Sequence, residues 1–181
     1  MSVDIQAQLD ELKQKVAAMP PGPQAKLSLV VFSGDMDRLI AAMIIATGAV
    51  AMGMKAVLFF TFWGTAALRD PVKSVGGKDL MSQMFGWMLP KGRSKLKLSK
   101  MHMAGMGTAM LKDLMRKKNA PSLDQLFEMA AALGVEIKIC EMSMDLMGFK
   151  REEMIDYPNL DYCGVATFLA EAKESSVQMF I

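Results

Sequence analysis

The fold is decided by the stretch Val135-Glu136-Ile137-Lys138-Ile139-Cys140-Glu141-Met142-Ser143-Met144-Asp145, in which a strand pattern runs directly into a helix start. Apolar residues occupy every second position from 135 to 139, which is the period of a pleated strand. Ser143 followed by an acidic residue at Asp145 is typical of a helix N-cap and first turn. The pattern therefore predicts a strand that ends at Cys140 and a helix that begins near Ser143.

Cys140 is the candidate functional residue that this placement creates. Ligands of open α/β sheets bind at the carboxyl ends of the strands, and a nearby helix N-terminus favours a thiolate. Glu141 and Asp145 would oppose a thiolate if they pointed at the sulfur. Free cysteine is also among the most buried residue types, and a lone cysteine is usually inert. A reactive and a structural Cys140 both stay open.

Composition limits the class of protein. A chain of 181 residues has the length of one domain, and its two cysteines cannot form a disulfide framework. The N-terminus shows no secretory signal pattern, so we expect a cytoplasmic protein. The net charge of +2 does not indicate nucleic-acid binding. The apolar run at 39–54 is shorter than the ~20 residues that cross a bilayer, which makes a membrane hairpin the minority interpretation.

Residues 1–25 are predicted to lie outside the main domain. Positions 4–18 show a seven-residue apolar spacing typical of an amphipathic helix, which we expect to pack on the domain or on a neighbouring subunit. The sequence Pro20-Pro21-Gly22-Pro23 ends that helix and forms a stiff linker.

Residues 26–181 are predicted to form the domain. The near-continuous apolar run Leu27–Phe32 is typical of a parallel strand covered on both faces, and helical spacing follows from 36 to 53. Further patterns predict a strand at 57–63, a helix at 122–133, the Cys140 strand, a helix at 162–174 capped by Asp161, and a strand at 176–181. This order predicts an α/β fold, a single three-layer domain with a four- to five-stranded, mainly parallel sheet of flavodoxin/Rossmann-like type.

The Met-rich insert, about 70–118, interrupts this alternation. Its glycines and prolines divide it into short pieces, with helices predicted around 79–88 and 108–117. Many of the twenty methionines lie in it, which indicates adaptable packing or an adaptable contact surface. No tight Met-x-x-Met array is present, so we predict neither a metal site nor a cofactor.

Charge is distributed unevenly along the chain. Residues 91–118 contain nine basic and one acidic residue, whereas residues 120–181 contain four basic and eleven acidic ones. The basic segment is either a solvated face or a docking surface for an acidic partner protein. Attachment to a membrane surface is a lesser alternative.

Several residues are candidates for a pocket around Cys140. The turn Ser33-Gly34-Asp35 follows the first strand, and it lacks the spacing of a phosphate-binding loop, so an N-cap is a better interpretation than a nucleotide site. We predict pocket walls from Ser33, Gly34, Asp35, Thr61, Trp63, Met142 and Ser143. His102 is the sole histidine, and Cys163 is predicted in the first turn of the last helix. Both are possible accessory residues.

Three segments carry a resemblance to a known family. They are Leu27-Ser28-Leu29-Val30-Val31-Phe32-Ser33-Gly34-Asp35, Cys140-Glu141-Met142-Ser143-Met144-Asp145-Leu146-Met147-Gly148, and Cys163-Gly164-Val165-Ala166-Thr167-Phe168-Leu169-Ala170 with the ending Phe180-Ile181. Together they resemble the DsrE/DsrF-like sulfur-relay family, and in particular a subgroup with a Met-rich insert labelled peroxiredoxin-like or sulfurtransferase. The resemblance covers about residues 26–181. No peroxidatic Thr-x-x-Cys motif is present.

The resemblance implies a homo-oligomeric protein whose Cys140 holds sulfane sulfur as a persulfide. The implied partners are sulfur donor and acceptor proteins, and the implied activity is that of a sulfur carrier or sulfurtransferase. It assigns no role to Cys163. The competing hypothesis is a non-catalytic assembly or membrane-adapter module with a structural cysteine.

Overall fold

The computed structural model describes residues 24–181, so the predicted N-terminal helix and proline linker lie outside the described residues. Five strands form one parallel sheet in the order β4-β3-β2-β1-β5: β1 (Gln24–Val31), β2 (Lys55–Phe60), β3 (Glu136–Cys140), β4 (Leu160–Cys163) and β5 (Ser175–Phe180). The helices are α1 (Met36–Ala51), α2 (Leu80–Met88), α3 (Met106–Lys117), α4 (Leu123–Ala132), α5 (Glu141–Met147) and α6 (Val165–Lys173). The predicted α/β class is confirmed.

The three layers follow from the strand order. From β1 to β4 the chain moves in one direction across the sheet, and right-handed crossovers place α1 and α4 on the same face. The connection from β4 to β5 runs back across the whole sheet to the opposite edge. The same handedness therefore places α6 on the other face, where it packs on β1 and β5.

The main core lies between the sheet and the pair α1 and α4. Alternate residues of the central strands point into it, among them Leu58 of β2 and Ile137 and Ile139 of β3. Alanines at 42 and 46 of α1 are fully buried, which lets this helix approach the sheet closely. The apolar runs that predicted these strands are thus explained by burial.

Two helix starts differ from the predictions. Helix α5 begins at Glu141 with Cys140 as its N-cap residue, because the Ser143 hydroxyl instead contacts Thr61 Oγ1 at 2.8 Å and accepts from Phe62 N–H at 3.0 Å. The last helix begins at Val165, because residues 160–163 pair with β3 as strand β4. Cys163 is therefore the last residue of a strand and does not lie in the first turn of a helix. Asp161 does not cap that helix.

Strand β2 also ends earlier than predicted. It stops at Phe60, and residues 62–68 form a short 3₁₀ segment that contains Trp63. The predicted helices of the insert are confirmed as α2 and α3. Within residues 24–181, helices long and apolar enough to span a bilayer are absent.

A buried ion cluster fixes the insert to the domain. The Glu153 carboxylate is almost fully buried and pairs with Lys78 and, at 3.4 Å, with Arg69. Arg69 also donates to the Gly86 carbonyl at 3.2 Å and lies over the Phe149 ring. A charge buried to this degree is stable only with partners, so the cluster determines where α2 can lie.

Candidate functional site: a pair of cysteines beneath α6

Cys140 lies at the carboxyl end of β3, as the sequence predicts. Ile139 points into the main core, so the next residue, Cys140, points to the face covered by α6. Its side chain is 3% exposed and makes no capping hydrogen bond within residues 24–181. The candidate nucleophile is therefore covered by protein and does not lie in an open cleft.

Cys163 is the direct neighbour of Cys140 across the sheet. The two residues are register partners on the adjacent parallel strands β3 and β4, and each is the last residue of its strand. Both belong to one buried group, the thiol cluster, which comprises Phe59, Cys140, Cys163, Phe168 and Ala172. The Phe59 and Phe168 rings stack with centroids 4.6 Å apart. The sequence prediction treated the two cysteines separately, but the fold places them together.

The cover over the thiol cluster is thin. Within α6, Phe168 and Ala172 are the buried residues, and the remaining positions are exposed or half-buried. An element that buries few side chains opens at low free energy relative to global unfolding. Phe168 and Ala172 are the members of the thiol cluster that belong to α6, so displacement of this helix would remove their part of the cover.

A buried charge network adjoins the two thiols. Lys138 stands two residues before Cys140 on the same face of β3, and its ammonium pairs with the Glu171 carboxylate of α6. Lys26 of β1 pairs with the same carboxylate at 3.2 Å. Lys138 and Lys26 thus share one carboxylate, and Asp161, the register partner of Lys138 on β4, adds a further negative charge near Cys163.

The pKa shifts in this network follow from burial and pairing. Burial acts to lower the pKa of Lys138, but its bond to Glu171 outweighs burial and raises that pKa, so the ammonium stays charged. Burial likewise acts to raise the pKa of Glu171, and the bonds from Lys138 and Lys26 bring it below the usual range. Burial raises the pKa of the Cys163 thiol, and the Lys138 ammonium offsets part of this rise. Lys138 is therefore the group that favours the Cys163 thiolate, whereas Asp161 and Glu171 oppose it.

Of the two carboxylates expected to oppose a thiolate, Glu141 has a cationic partner and Asp145 faces solvent. Glu141 pairs with Arg151, whose guanidinium also lies over the Tyr162 ring at 4.5 Å. Asp145 is exposed on α5.

A second feature is an open cavity of about 650 Å³ at the carboxyl edge of β1 and β2. Four predicted pocket residues, Ser33, Gly34, Asp35 and Trp63, line it together with residues 86–91 of the insert. A Cβ atom on Gly34 would lie 2.6 Å from the Trp63 carbonyl oxygen, so only glycine lets these two loops meet. Cys140 does not line this cavity.

The turn at residues 33–35 is occupied by internal hydrogen bonds. The Ser33 hydroxyl donates to the Asp35 carboxylate at 2.9 Å, and Met36 N–H, the first amide of α1, donates to the Lys97 carbonyl at 2.8 Å. The amide that a phosphate would need is thus already paired within the protein. This favours a structural turn over a nucleotide site.

The other predicted residues lie on α5, in the loop after β2 and in the insert. Thr61 and Ser143 are buried against each other and fasten α5 to the loop after β2, whereas Met142 is exposed on α5. His102 Nδ1 contacts Thr108 Oγ1 at 3.1 Å inside the insert and is not part of the thiol cluster.

Sequence reasoning missed Lys138 and Glu171. The alternating pattern predicts that a lysine between Ile137 and Ile139 faces solvent. Its partner, Glu171, lies 33 residues later in the chain. A signal was present, because a strand at the centre of a doubly covered sheet should be apolar on both faces. A lysine in such a strand needs a buried partner.

Comparison with known proteins identifies relatives along almost the whole described chain. The sequence model of the DsrE/DsrF/DrsH-like family matches residues 23–180. The chain is 47% identical over 160 residues to the uncharacterized protein YrkE of Bacillus subtilis (strain 168), covering 86% of this chain and 96% of that protein. It is 31% identical over 166 residues to the sulfur carrier protein DsrE2 of Allochromatium vinosum, covering 87% and 99%.

A solved structure shares the fold. The crystal structure of the ychN protein from E. coli superposes with a TM-score of 0.50 over 86% of this chain and 98% of that chain. At 12% identity this likeness concerns the fold alone.

Proposed function

The chain belongs to the DsrE/DsrF/DrsH-like family, and we propose that it is a sulfur carrier that holds sulfane sulfur as a persulfide on Cys140. A relative that is 31% identical over nearly its full length is named a sulfur carrier protein, which supports a role in sulfur relay. The partners would be a donor protein and an acceptor protein with a reactive thiol. The reaction is that of a sulfurtransferase in a reducing cytoplasm.

The observation that carries the proposal is the position of Cys140 beside Cys163 and the Lys138 ammonium, beneath the thin cover of α6. A thiolate is the nucleophile in sulfur exchange. Burial under α6 would keep the loaded sulfur away from thiols in solution. Such a site suits a carrier that must hold a labile sulfur between two encounters.

The transfer is a pair of substitutions at sulfur. In loading, the Cys140 thiolate attacks the outer sulfur of a donor persulfide, the donor S–S bond breaks, and the donor leaves as a thiolate. In unloading, an acceptor thiolate attacks the outer sulfur of the Cys140 persulfide, and Cys140 leaves as a thiolate. Each step exchanges one S–S bond for another, so no oxidant is needed.

Access to Cys140 requires α6 to move. The helix follows Cys163 directly through Gly164, an exposed residue in whose place a Cβ atom would meet no heavy atom within 4 Å. A partner that displaces Phe168 from its stack on Phe59 would uncover the sulfur. Binding of the partner and opening of the site are then the same event.

Exposed apolar side chains on α6 and β5 support self-association, which is the homo-oligomer that the family resemblance implies. Leu169 is 58% exposed and Phe180 is 68% exposed. Exposed apolar residues of this size are typical of a contact surface. Light scattering at two protein concentrations would measure the assembly.

The test is intact-mass spectrometry of Cys163→Ala protein, in which Cys140 is the only thiol of the chain. After incubation with glutathione persulfide and desalting, we expect a gain of about 32 Da that maps to Cys140 and disappears on transfer to an acceptor thiol. The matched control Cys140→Ser keeps Cys163 and should not load. Equal loading of both variants would overturn the assignment of Cys140.

The second candidate function is a non-catalytic assembly or adapter module. The burial of Cys140 in an apolar cluster favours it, and so does the exposed apolar surface of the insert, where Leu80 and Trp87 are mostly exposed. An adapter would keep Cys140 unreactive towards small alkylating reagents as long as the protein is folded. A carrier would react slowly but measurably through opening of α6.

A further inference from the structure

The two cysteines of the thiol cluster are free thiols on neighbouring strands, at a backbone spacing that a mutual bond can span. They are register partners on neighbouring parallel strands, which lie about 4.8 Å apart in a sheet. A disulfide needs Cα atoms about 4.4–6.8 Å apart. Both side chains point to the same face and pack in the same cluster. Each cysteine ends its strand, so the backbone can adjust on one side without breaking the ladder.

From this juxtaposition we propose that Cys163 is a resolving thiol, which discharges the persulfide of Cys140 as hydrosulfide and leaves a Cys140–Cys163 disulfide. This proposal rests on the proposed function, because it needs a persulfide on Cys140. The sulfur could then leave Cys140 in two ways, by transfer to a partner protein or by release as hydrosulfide within the chain.

The step balances without an external oxidant. The Cys163 thiolate attacks Sγ of Cys140, the bond between that Sγ and the outer sulfur breaks, and the outer sulfur leaves as hydrosulfide. The outer sulfur gains two electrons, and the two cysteine sulfurs together lose them to form the disulfide. The proton of the Cys163 thiol goes to the departing hydrosulfide or to water. A dithiol reductant returns the pair to two thiols.

The surroundings favour this internal attack over discharge by thiols in solution. Both sulfur atoms lie beneath α6, so an outside thiol reaches Cys140 only after the helix opens, whereas Cys163 is adjacent at all times. Burial raises the pKa of Cys163, and the Lys138 ammonium offsets part of that rise. A partner that opens α6 quickly would receive the sulfur, and a carrier left waiting would release it as hydrosulfide.

The experiment follows hydrosulfide release and intact mass after loading with one equivalent of glutathione persulfide and rapid desalting, with argon excluding air. Wild-type protein should release about one hydrosulfide per chain and finish about 2 Da below its reduced mass, with a peptide map that joins Cys140 to Cys163. Cys163→Ala and Cys163→Ser should keep the added mass of about 32 Da. Their release should be slower by at least about tenfold, because the internal thiol acts at high effective concentration.

The outcomes separate this inference from the function on which it rests. If Cys163→Ala holds the added sulfur and wild-type protein holds it equally long, the resolving role is wrong and the carrier stands. If Cys163→Ala takes up no sulfur, both fall. If neither Cys163 variant folds, the wild-type peptide map decides alone, since a loaded chain without the disulfide overturns the resolving role.

Discussion

Truncation of Phe168 should expose Cys140 without unfolding the domain. Phe168 is 4% exposed and stacks on Phe59 at 4.6 Å, and with Ala172 it supplies the buried side chains of α6. Burial of a phenylalanine side chain contributes about 1.5–3 kcal/mol, and an aromatic pair adds about 0.5–1.5 kcal/mol. Because alanine keeps the Cβ contact, the free energy that holds α6 closed should fall by about 2–3 kcal/mol, the lower part of that sum.

A loss of this size raises the open population by about 30- to 150-fold, because 1.4 kcal/mol corresponds to a factor of ten. The assay is the rate at which N-ethylmaleimide labels Cys140 in the folded Cys163→Ala protein, with and without Phe168→Ala. Thr167→Ala is the matched control, because Thr167 is the exposed neighbour on the same helix and its loss should leave the rate unchanged.

Urea separates opening of α6 from global unfolding. The effect of urea on a process scales with the surface that the process exposes, so labelling through α6 opening should respond weakly to low urea. Labelling through global unfolding would accelerate steeply. Protection of Cys140 by Phe168 is refuted if Cys140 labels as fast as an unprotected thiol in the parent protein, or if Phe168→Ala leaves the rate unchanged.

Three further outcomes are expected. Lys138→Met should slow hydrosulfide release from the loaded protein several-fold at pH 7, because Lys138 is the group that lowers the pKa of the Cys163 thiol, whereas Lys138→Arg should keep the rate. Equal rates for Lys138→Met and wild type would contradict the role of the cation. Gly148→Ala should lower the free energy of unfolding in urea by about 2–4 kcal/mol, because Gly148 has a φ of 64° and a Cβ atom there would collide with Ser82. The control Gly134→Ala, at a φ of 77° and with open space around the Cβ position, should lower it by about 1 kcal/mol, and equal losses would exclude the collision. Burial raises the pKa of Tyr157 from 10.0 to about 12, and its hydroxyl donates to the Val135 carbonyl at 2.8 Å. The stability that the neutral Tyr157 contributes should therefore be complete below pH 10 and be lost as the pH rises through 12. Urea midpoints measured across this range should fall less in Tyr157→Phe than in wild type, and a parallel fall would show that Tyr157 is not the titrating group.

The fold was predictable because hydrophobic patterns are local. The alternation from 135 to 139 and the apolar run at 27–32 predicted β3 and β1, and the pattern at 122–133 predicted α4. The order of strands and helices then fixed the α/β class. The end of strand β3 at Cys140 was predicted for the same reason.

The errors arose where distant parts of the chain compete with local preferences. Ser143 has the residue type of an N-cap, but its hydroxyl pairs with Thr61, which is 82 residues away. Strand β4 is a four-residue edge strand, too short to show a period. Tyr162 and Cys163 were therefore assigned to the helix that follows, with Asp161 as its cap. That error hid the pairing of Cys163 with Cys140.

The position of the insert also depends on distant contacts. Its two helices follow from their own sequence, but the Glu153 carboxylate that fixes it lies beyond α5 and pairs with Arg69 and Lys78 on either side of Gly76-Gly77. Pattern reading predicts that a charged residue is exposed, and here it fails because three charged residues share one buried site.

Whether Cys140 takes up and hands on sulfane sulfur is decided by one pair of mass spectra. Cys163→Ala protein exposed to glutathione persulfide should gain about 32 Da at Cys140 and return to its starting mass when an acceptor thiol protein is added, with the sulfur found on the acceptor. A folded Cys163→Ala protein that stays at its starting mass, while its Cys140 remains closed to N-ethylmaleimide, would contradict the carrier function and favour a structural cysteine.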